Sequence, residues 1–448
     1  MITTGGAKAV CKKALEAAGE RQAEVIVSAE ETGLTRFAAN AIHQNVISSD
    51  ASVSVRAIVG KRSARARTNR LDQGSLNAAV ERAFELARTQ EPDPEALPLP
   101  GPQEYEAVRS YSARTARFSG GDRARVVKEA VEICKRDGAS AAGAFSTEAN
   151  LLAVANTRGL FAASRATLSS FSATVELDGA SGWTQQVATD VKRIDAVRAA
   201  EEAVSKAKAS RGAKRIEPGR YEVILEPAAV GDLVLMLGYF SNAFNAMAYM
   251  EKRSPFSGKL GRKVLGKNFT LTEEPFHKLL PGRPFDLEGI PRKQVKLVEN
   301  GVLAGLVHDR VTAKKMKTKS TGHAGPQPSP GGANVSSLVV KGDDATLDEM
   351  IRRSKRAILV THFHYTNMVD VSRLVATGMT RDGTFFVENG KIVHPVRDMR
   401  FTQSLSEAFS NIVEVGKEQV LCEGFFGGGV VATAMRVRDF TFSSETEL

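Results

Sequence analysis

Twice in its second half the chain sets an Asn-Gly pair between short alternating apolar runs, in QVKLVENGVLAGLVHD (294–309) and GTFFVENGKIVHPV (383–396). A type I′ turn needs positive φ at both central residues, which Asn and Gly tolerate and most residues do not. Each segment is therefore read as a β-hairpin, turning at Asn300-Gly301 and Asn389-Gly390. AMRVRDFTFSS (434–444) alternates as a further strand. YEVILEP (221–227) reads as a strand running into a helix, because Pro227 suits a first helical turn, where its missing N–H costs nothing. Val230, Leu233, Val234, Leu237, Phe244 and Ala248 then follow helical spacing. The second half is thus expected to be β-rich, with hairpins and one main helix.

The first half reads as α+β. Residues 7–20 carry Val10, Ala14, Leu15 and Ala18 on one helical face. Residues 23–31 form a strand, and 51–69 a hairpin turning near Gly60 and Lys61. Asp72 caps a helix through Ala87, and Asp122 caps a second with a stripe of Val126, Val127, Ala130, Ile133 and Cys134. A strand pair spans 140–178, and Asp195 starts a third helix over 195–209. The five prolines of residues 91–102 mark a connector. RGAKRIEPGR (211–220) breaks the pattern, so the domains are read as 1–214 and 215–448. Residues 314–334, rich in Gly, Pro, Ser and Lys, are expected to form a mobile loop.

A chain of 448 residues exceeds one ordinary domain, and 42% hydrophobic with 25% charged residues suits a globular core. No apolar run is long enough for a membrane helix, and the opening residues do not read as a secretory signal. Three distant cysteines, Cys11, Cys134 and Cys422, make no disulfide framework, so a cytoplasmic setting is expected. The net charge of +10 comes from 61 basic residues scattered among 51 acidic ones. The densest basic stretch, Lys314 to Lys319, lacks interleaved aromatics, so nucleic acid is not the expected partner.

Common chemistries fail one by one. GRKVLGKN (261–268) ends in Asn where a phosphate loop needs a hydroxyl for Mg²⁺. No G-x-S-x-G elbow occurs, and Ser205 with Lys208 lies on an exposed helix. No two of the seven histidines carry the helical spacing and glutamate of a zinc peptidase. His362 and His364, in THFHYTN, would share one face of a strand. They read either as two satisfied polar side chains or as two ligands lacking a third.

FDLEGIP (285–291), LVENGVLAGLVHDRVTAKK (297–315) and TRDGTFFVENGKIVHPV (380–396) together resemble the TldD/PmbA (TldD/TldE) peptidase family. TRFAANAIHQN (35–45), LEPAAVGDLV (225–234), SPFSGKLGRKV (254–264) and the final MRVRDFTFSS extend the likeness over nearly the whole chain, in order. The resemblance implies a two-domain protein whose dimers enclose a cavity. In it a TldD-type subunit holds zinc through HExxxH and a later cysteine and cleaves short or unfolded peptides, while a TldE-type subunit lacks zinc.

The flanking match puts the HExxxH residues at Leu235, Met236 and Phe240, and Cys422 near the third ligand. Leu, Met and Phe neither bind Zn²⁺ nor accept a proton from bound water. The expectation is a zinc-free subunit, without catalytic or metal residues of its own, whose TldD-like partner supplies the zinc. His362, His364, Tyr365 and Asn367 are its candidate peptide-binding residues, on a cavity-facing strand that holds peptide by strand addition. Two alternatives stand: a peptidase with a non-standard metal site at His362, His364 and Cys422, and a non-enzymatic peptide-binding homodimer.

Overall fold

The computed structural model describes residues 2–424 and 429–446. Six strands of the first half form one antiparallel sheet in the order β3-β2-β1-β4-β5-β6. They are β1 (Gln22–Ala38), β2 (Ala41–Val59), β3 (Arg62–Thr68), β4 (Ser140–Asn156), β5 (Phe161–Leu177) and β6 (Ala180–Ala188). Side chains alternate across such strands, so each sends one set to either face. Val25, Val27, Val53, Val55, Leu151 and Ala153 pack under the helices Thr4–Ala18 and Gln73–Thr89. Phe145, Phe171, Ala173 and Val175 pack under Gly120–Arg136 and Ala196–Ala209. All four helices therefore cover one face.

The local chemistry explains the close packing. The helix Ala196–Ala209 presents Ala199, Ala200, Ala203 and Ala207, and a Cβ at Gly182 would lie 2.3 Å from the Ala203 carbonyl oxygen. Asp72 and Asp195 cap their helices as expected, each accepting from a backbone N–H three residues on. Asp122 is the exception. Ser119 is the cap and Asp122 stands at the third helical position, in a reciprocal capping box that starts the helix earlier.

The second half holds two sheets. One runs β10-β9-β8-β11-β18-β17, from β8 (Leu271–Glu273), β9 (Val295–Glu299), β10 (Val302–Leu303), β11 (Leu338–Val340), β17 (Val420–Glu423) and β18 (Gly429–Ala432). The other runs β12-β7-β19-β15-β13-β14, from β7 (Gly219–Leu225), β12 (Arg356–Asp370), β13 (Val375–Glu388), β14 (Lys391–Pro395), β15 (Met399–Ser404) and β19 (Met435–Glu445). Because β13 also pairs with β12, five of these strands close into a ring. Both expected hairpins form, with φ of 49° and 80° at Asn300-Gly301 and 50° and 78° at Asn389-Gly390.

Two expectations need correction. The helix begun by Pro227 does not run on to Ala248. It ends at Leu235, continues as a π-helical turn over Met236–Phe240, and breaks before a short helix Ala246–Met250. The 314–334 segment stays mostly exposed over 314–320, but from Thr321 on it packs into the protein, with 322–324, 327 and 332–333 buried. His323 within it is buried, its Nε2 3.2 Å from Glu273 Oε1. The same carboxylate takes Arg292 at 2.5 Å and the backbone N–H groups of Ser336 and Ser337 at 3.0 and 2.9 Å. Asp286 accepts the Ala324 N–H at 2.9 Å. Buried carboxylates supply the bonds that the segment's polar composition demands, which sequence periodicity does not register.

Candidate functional site

The helix-free face of the first sheet is apolar around Ile26, Val154 and Ala162 but polar around Ser146, Ser170 and Ser172, and it meets the second half across a row of cavities. One of about 730 Å³ has Ser146 from β4, Ser170, Ser172 and Thr174 from β5, and Trp183 and Gln185 from β6 as its floor. Its far wall comes from the helix Pro227–Leu235 through Ala228 and Asp232, from β12 through His362, Phe363 and His364, and from β13 through Arg381 and Asp382. A neighbouring cavity of about 540 Å³ shares Trp183, Gln185 and Ala228 with it.

β12 runs beside β7 only at Ile358–Val360, so its following stretch is left to line this space. Its pairing with β13 shifts register between Val360 and His362 and again between His364 and Asn367. The register shift of β13 opposite Thr361 depends on Gly383, at φ +138°, where a Cβ would lie 2.5 Å from Thr361 Oγ1. That geometry presents Asp382 to His362.

The His362 ring stacks on Trp183 with centroids 4.1 Å apart and planes 19° from parallel. Its Nε2 lies 3.3 Å from Asp382 Oδ2, and its Nδ1 3.1 Å from the Phe363 carbonyl oxygen. Both nitrogens thus face acceptors within the protein. Burial pushes the Asp382 carboxyl up, but hydrogen bonds from His362 and Ser181 and the charges of His362 and Arg381 outweigh it and hold it below its ordinary value. His364 is held below the usual imidazole value, by burial first and then by the charges of Arg381 and His362. Tyr365, at φ +52° and 54% exposed, and Asn367, whose side-chain amide donates to the Tyr365 carbonyl at 2.9 Å, lie outside this cavity's lining.

Asp232 is the one charged residue of PAAVGDLVL. Burial pushes its carboxyl up to about 8, against the opposing effect of the Phe363 N–H that it accepts. Cys422 on β17 packs behind it, where a Cβ at Gly231 would stand 3.0 Å from its Cβ. Burial and the Asp232 charge push the thiol up, the reverse of what a thiolate ligand or nucleophile needs.

The zinc helix of the resembled family has no counterpart in donors. Leu235 and Met236 are 2% and 5% exposed in the main core, and Phe240, at 44%, ends the π-helical turn. Among the described residues, no group of three or more His, Cys, Asp or Glu could hold a metal ion. Leu, Met and Phe do not fit zinc.

Sequence reasoning singled out His362 and His364 but missed Trp183, Asp232, Arg381 and Asp382. Two signals were available: Trp183 is the only tryptophan of the sequence, and Asp232 interrupts an apolar helix.

A long antiparallel sheet carries helices on one face and a β-rich half on the other, with a polar cleft between. The chain belongs to the PmbA/TldD metallopeptidase family. Residues 218–444 match the PmbA/TldA metallopeptidase C-terminal domain, and 23–87 match domain 1. It is 23% identical over 428 residues to the metalloprotease PmbA of Escherichia coli O157:H7, covering 93% of this chain and 92% of that one. It is 27% identical over 213 residues to a metalloprotease of Methanothermobacter thermautotrophicus, covering 47% of this chain and 45% of that one. The crystal structure of TldE from Thermococcus kodakarensis superposes with a TM-score of 0.86 at 20% identity, over 98% of this chain and 99% of that one. Among the described residues no helix is long and apolar enough to cross a membrane.

Proposed function

We propose that this chain is a zinc-free subunit of a TldD/TldE-type metallopeptidase complex. It holds short or unfolded peptides, and a TldD-like partner supplies the metal and the general base. One observation carries the reading: the stretch matched to HExxxH holds Leu235, Met236 and Phe240, two of them in dry core, while the adjoining polar cleft is kept open. The structural likeness to a TldE supports it. The protein's own groups bind and orient peptide. His364 and the hydroxyls of Ser146, Ser170 and Ser172 offer hydrogen bonds, and Trp183 with His362 forms a flat wall. His362 acts through Asp382, which fixes its ring.

Co-expression with a TldD-like partner tests the proposal. The complex cleaves an unstructured peptide, chelator abolishes the activity, and the isolated subunit has neither activity nor stoichiometric zinc. Zinc bound by the isolated subunit and lost in His362→Ala or His364→Ala would replace this reading with a metal site of its own.

A further inference from the structure

We propose that the cleft binds a peptide through a carboxylate, clamped between Arg36 and Arg381. The inference rests on the peptide-holding reading and names the chemistry that the cleft selects. Arg36 reaches the cavity of about 730 Å³ from β1 of the first sheet, and Arg381 reaches it from β13 of the second half. Both side chains therefore belong to the lining of one cavity. Among the described residues Arg36 makes no hydrogen bond or ion pair, and Arg381 has only a loose contact with Asp382, at 3.8 Å. Asp382 is already taken by His362. A guanidinium presents a planar fork of donors matched to a carboxylate, and these two have donors unspent. The Asp232 carboxyl of the same lining is committed to the Phe363 N–H. The cavity lining also holds Glu423, which lines the adjoining cavity with Glu148.

The carboxylate has two sources, the C-terminus of the peptide or an Asp or Glu side group within it. Trp183, single in the sequence and in the cavity floor, reports binding by its fluorescence. The probes are an Ala/Ser hexapeptide with a free C-terminus, its C-terminal amide, and the amide with one internal Asp. Expected is about tenfold tighter binding of the free acid than of the amide, a difference that Arg36→Gln or Arg381→Gln abolishes. Recovery of affinity by the Asp-containing amide assigns the side group as a sufficient source; no recovery assigns the C-terminus. Both arginines are solvent-accessible, so the variants keep the wild-type melting curve. Equal binding of acid and amide overturns the carboxylate clamp and leaves peptide holding intact. Binding of no probe removes both.

Discussion

Asp232 and Glu273 are both desolvated carboxyls, Asp232 half-buried in the wall of the cleft and Glu273 fully buried beside the 314–334 segment, and their surroundings drive them in opposite directions. At Glu273 burial is outweighed by His323, by the Arg292 charge and by backbone N–H groups, and the carboxyl stays below its ordinary value. At Asp232 a single backbone N–H opposes burial, and the carboxyl rises to about 8. Burial alone does not decide a carboxylate's state; the number of partners does. The Glu273 carboxylate has its own bonds filled and serves structure. The cleft keeps polar groups in reserve, which is where binding belongs.

The largest effect is expected on the filled side. Glu273→Ala strands Arg292 and His323 in the interior and costs about 3–5 kcal/mol. Urea unfolding measures it. A loss under about 1 kcal/mol would show that the cluster is dispensable and that the comparison is wrong on that side.

The pH dependence separates the two carboxyls by sign. The Asp232 value is raised on folding, so the native state keeps a proton that the unfolded protein releases. Its contribution is greatest in acid below the ordinary carboxylate range and is lost as pH rises towards about 8. The Glu273 value is lowered, so its contribution is present above the ordinary range and is lost as pH falls through the folded value. Asp232→Asn therefore gains melting temperature over wild type as pH goes from acid to about 8. Glu273→Gln shows its greatest deficit near neutrality and a shrinking one in acid. Parallel pH profiles for the two variants would remove the distinction.

His362→Ala is expected to have an intermediate effect. It removes the Trp183 stack and one of the donors that hold Asp382, for a loss of about 1–3 kcal/mol. The emission of Trp183 shifts with it. An unchanged spectrum would mean that the stack does not persist in solution.

Local rules made much of the fold legible. Asn-Gly turns, Asp72 and Asp195 caps and strand alternation depend on neighbours a few residues apart, and each stands in the structure. The misses depend on distant partners. Glu273 meets a histidine 50 positions on, so the 314–334 segment looked unable to pack. Ser119 took the cap from Asp122 because a reciprocal bond favoured the earlier start. The π-helical turn after Leu235 keeps apolar spacing while breaking α-geometry, so periodicity carried the helix too far. In the cleft, the pairing of His362 with Asp382 spans a hairpin, and that with Trp183 joins the two halves. Neither relation is written in a local pattern.

The smallest effects on stability mark the outer edge of the binding region. Tyr365 and Asn367 are exposed beyond the cavity lining, so Tyr365→Ala and Asn367→Ala each stay within about 0.5 kcal/mol of wild type. Their effect on peptide affinity is what sharpens the comparison. If peptide is held by the cavity wall alone, both variants bind an unstructured peptide as wild type does, read from Trp183 fluorescence. If the peptide adds as a strand along β12, its backbone runs past His364 towards Asn367. The Asn367 amide, which donates to the Tyr365 carbonyl, then competes with a peptide N–H for it. Asn367→Ala frees that carbonyl and tightens binding, while Tyr365→Ala, which keeps the backbone, leaves it unchanged. The sign of the Asn367→Ala effect thus distinguishes a pocket from a strand edge.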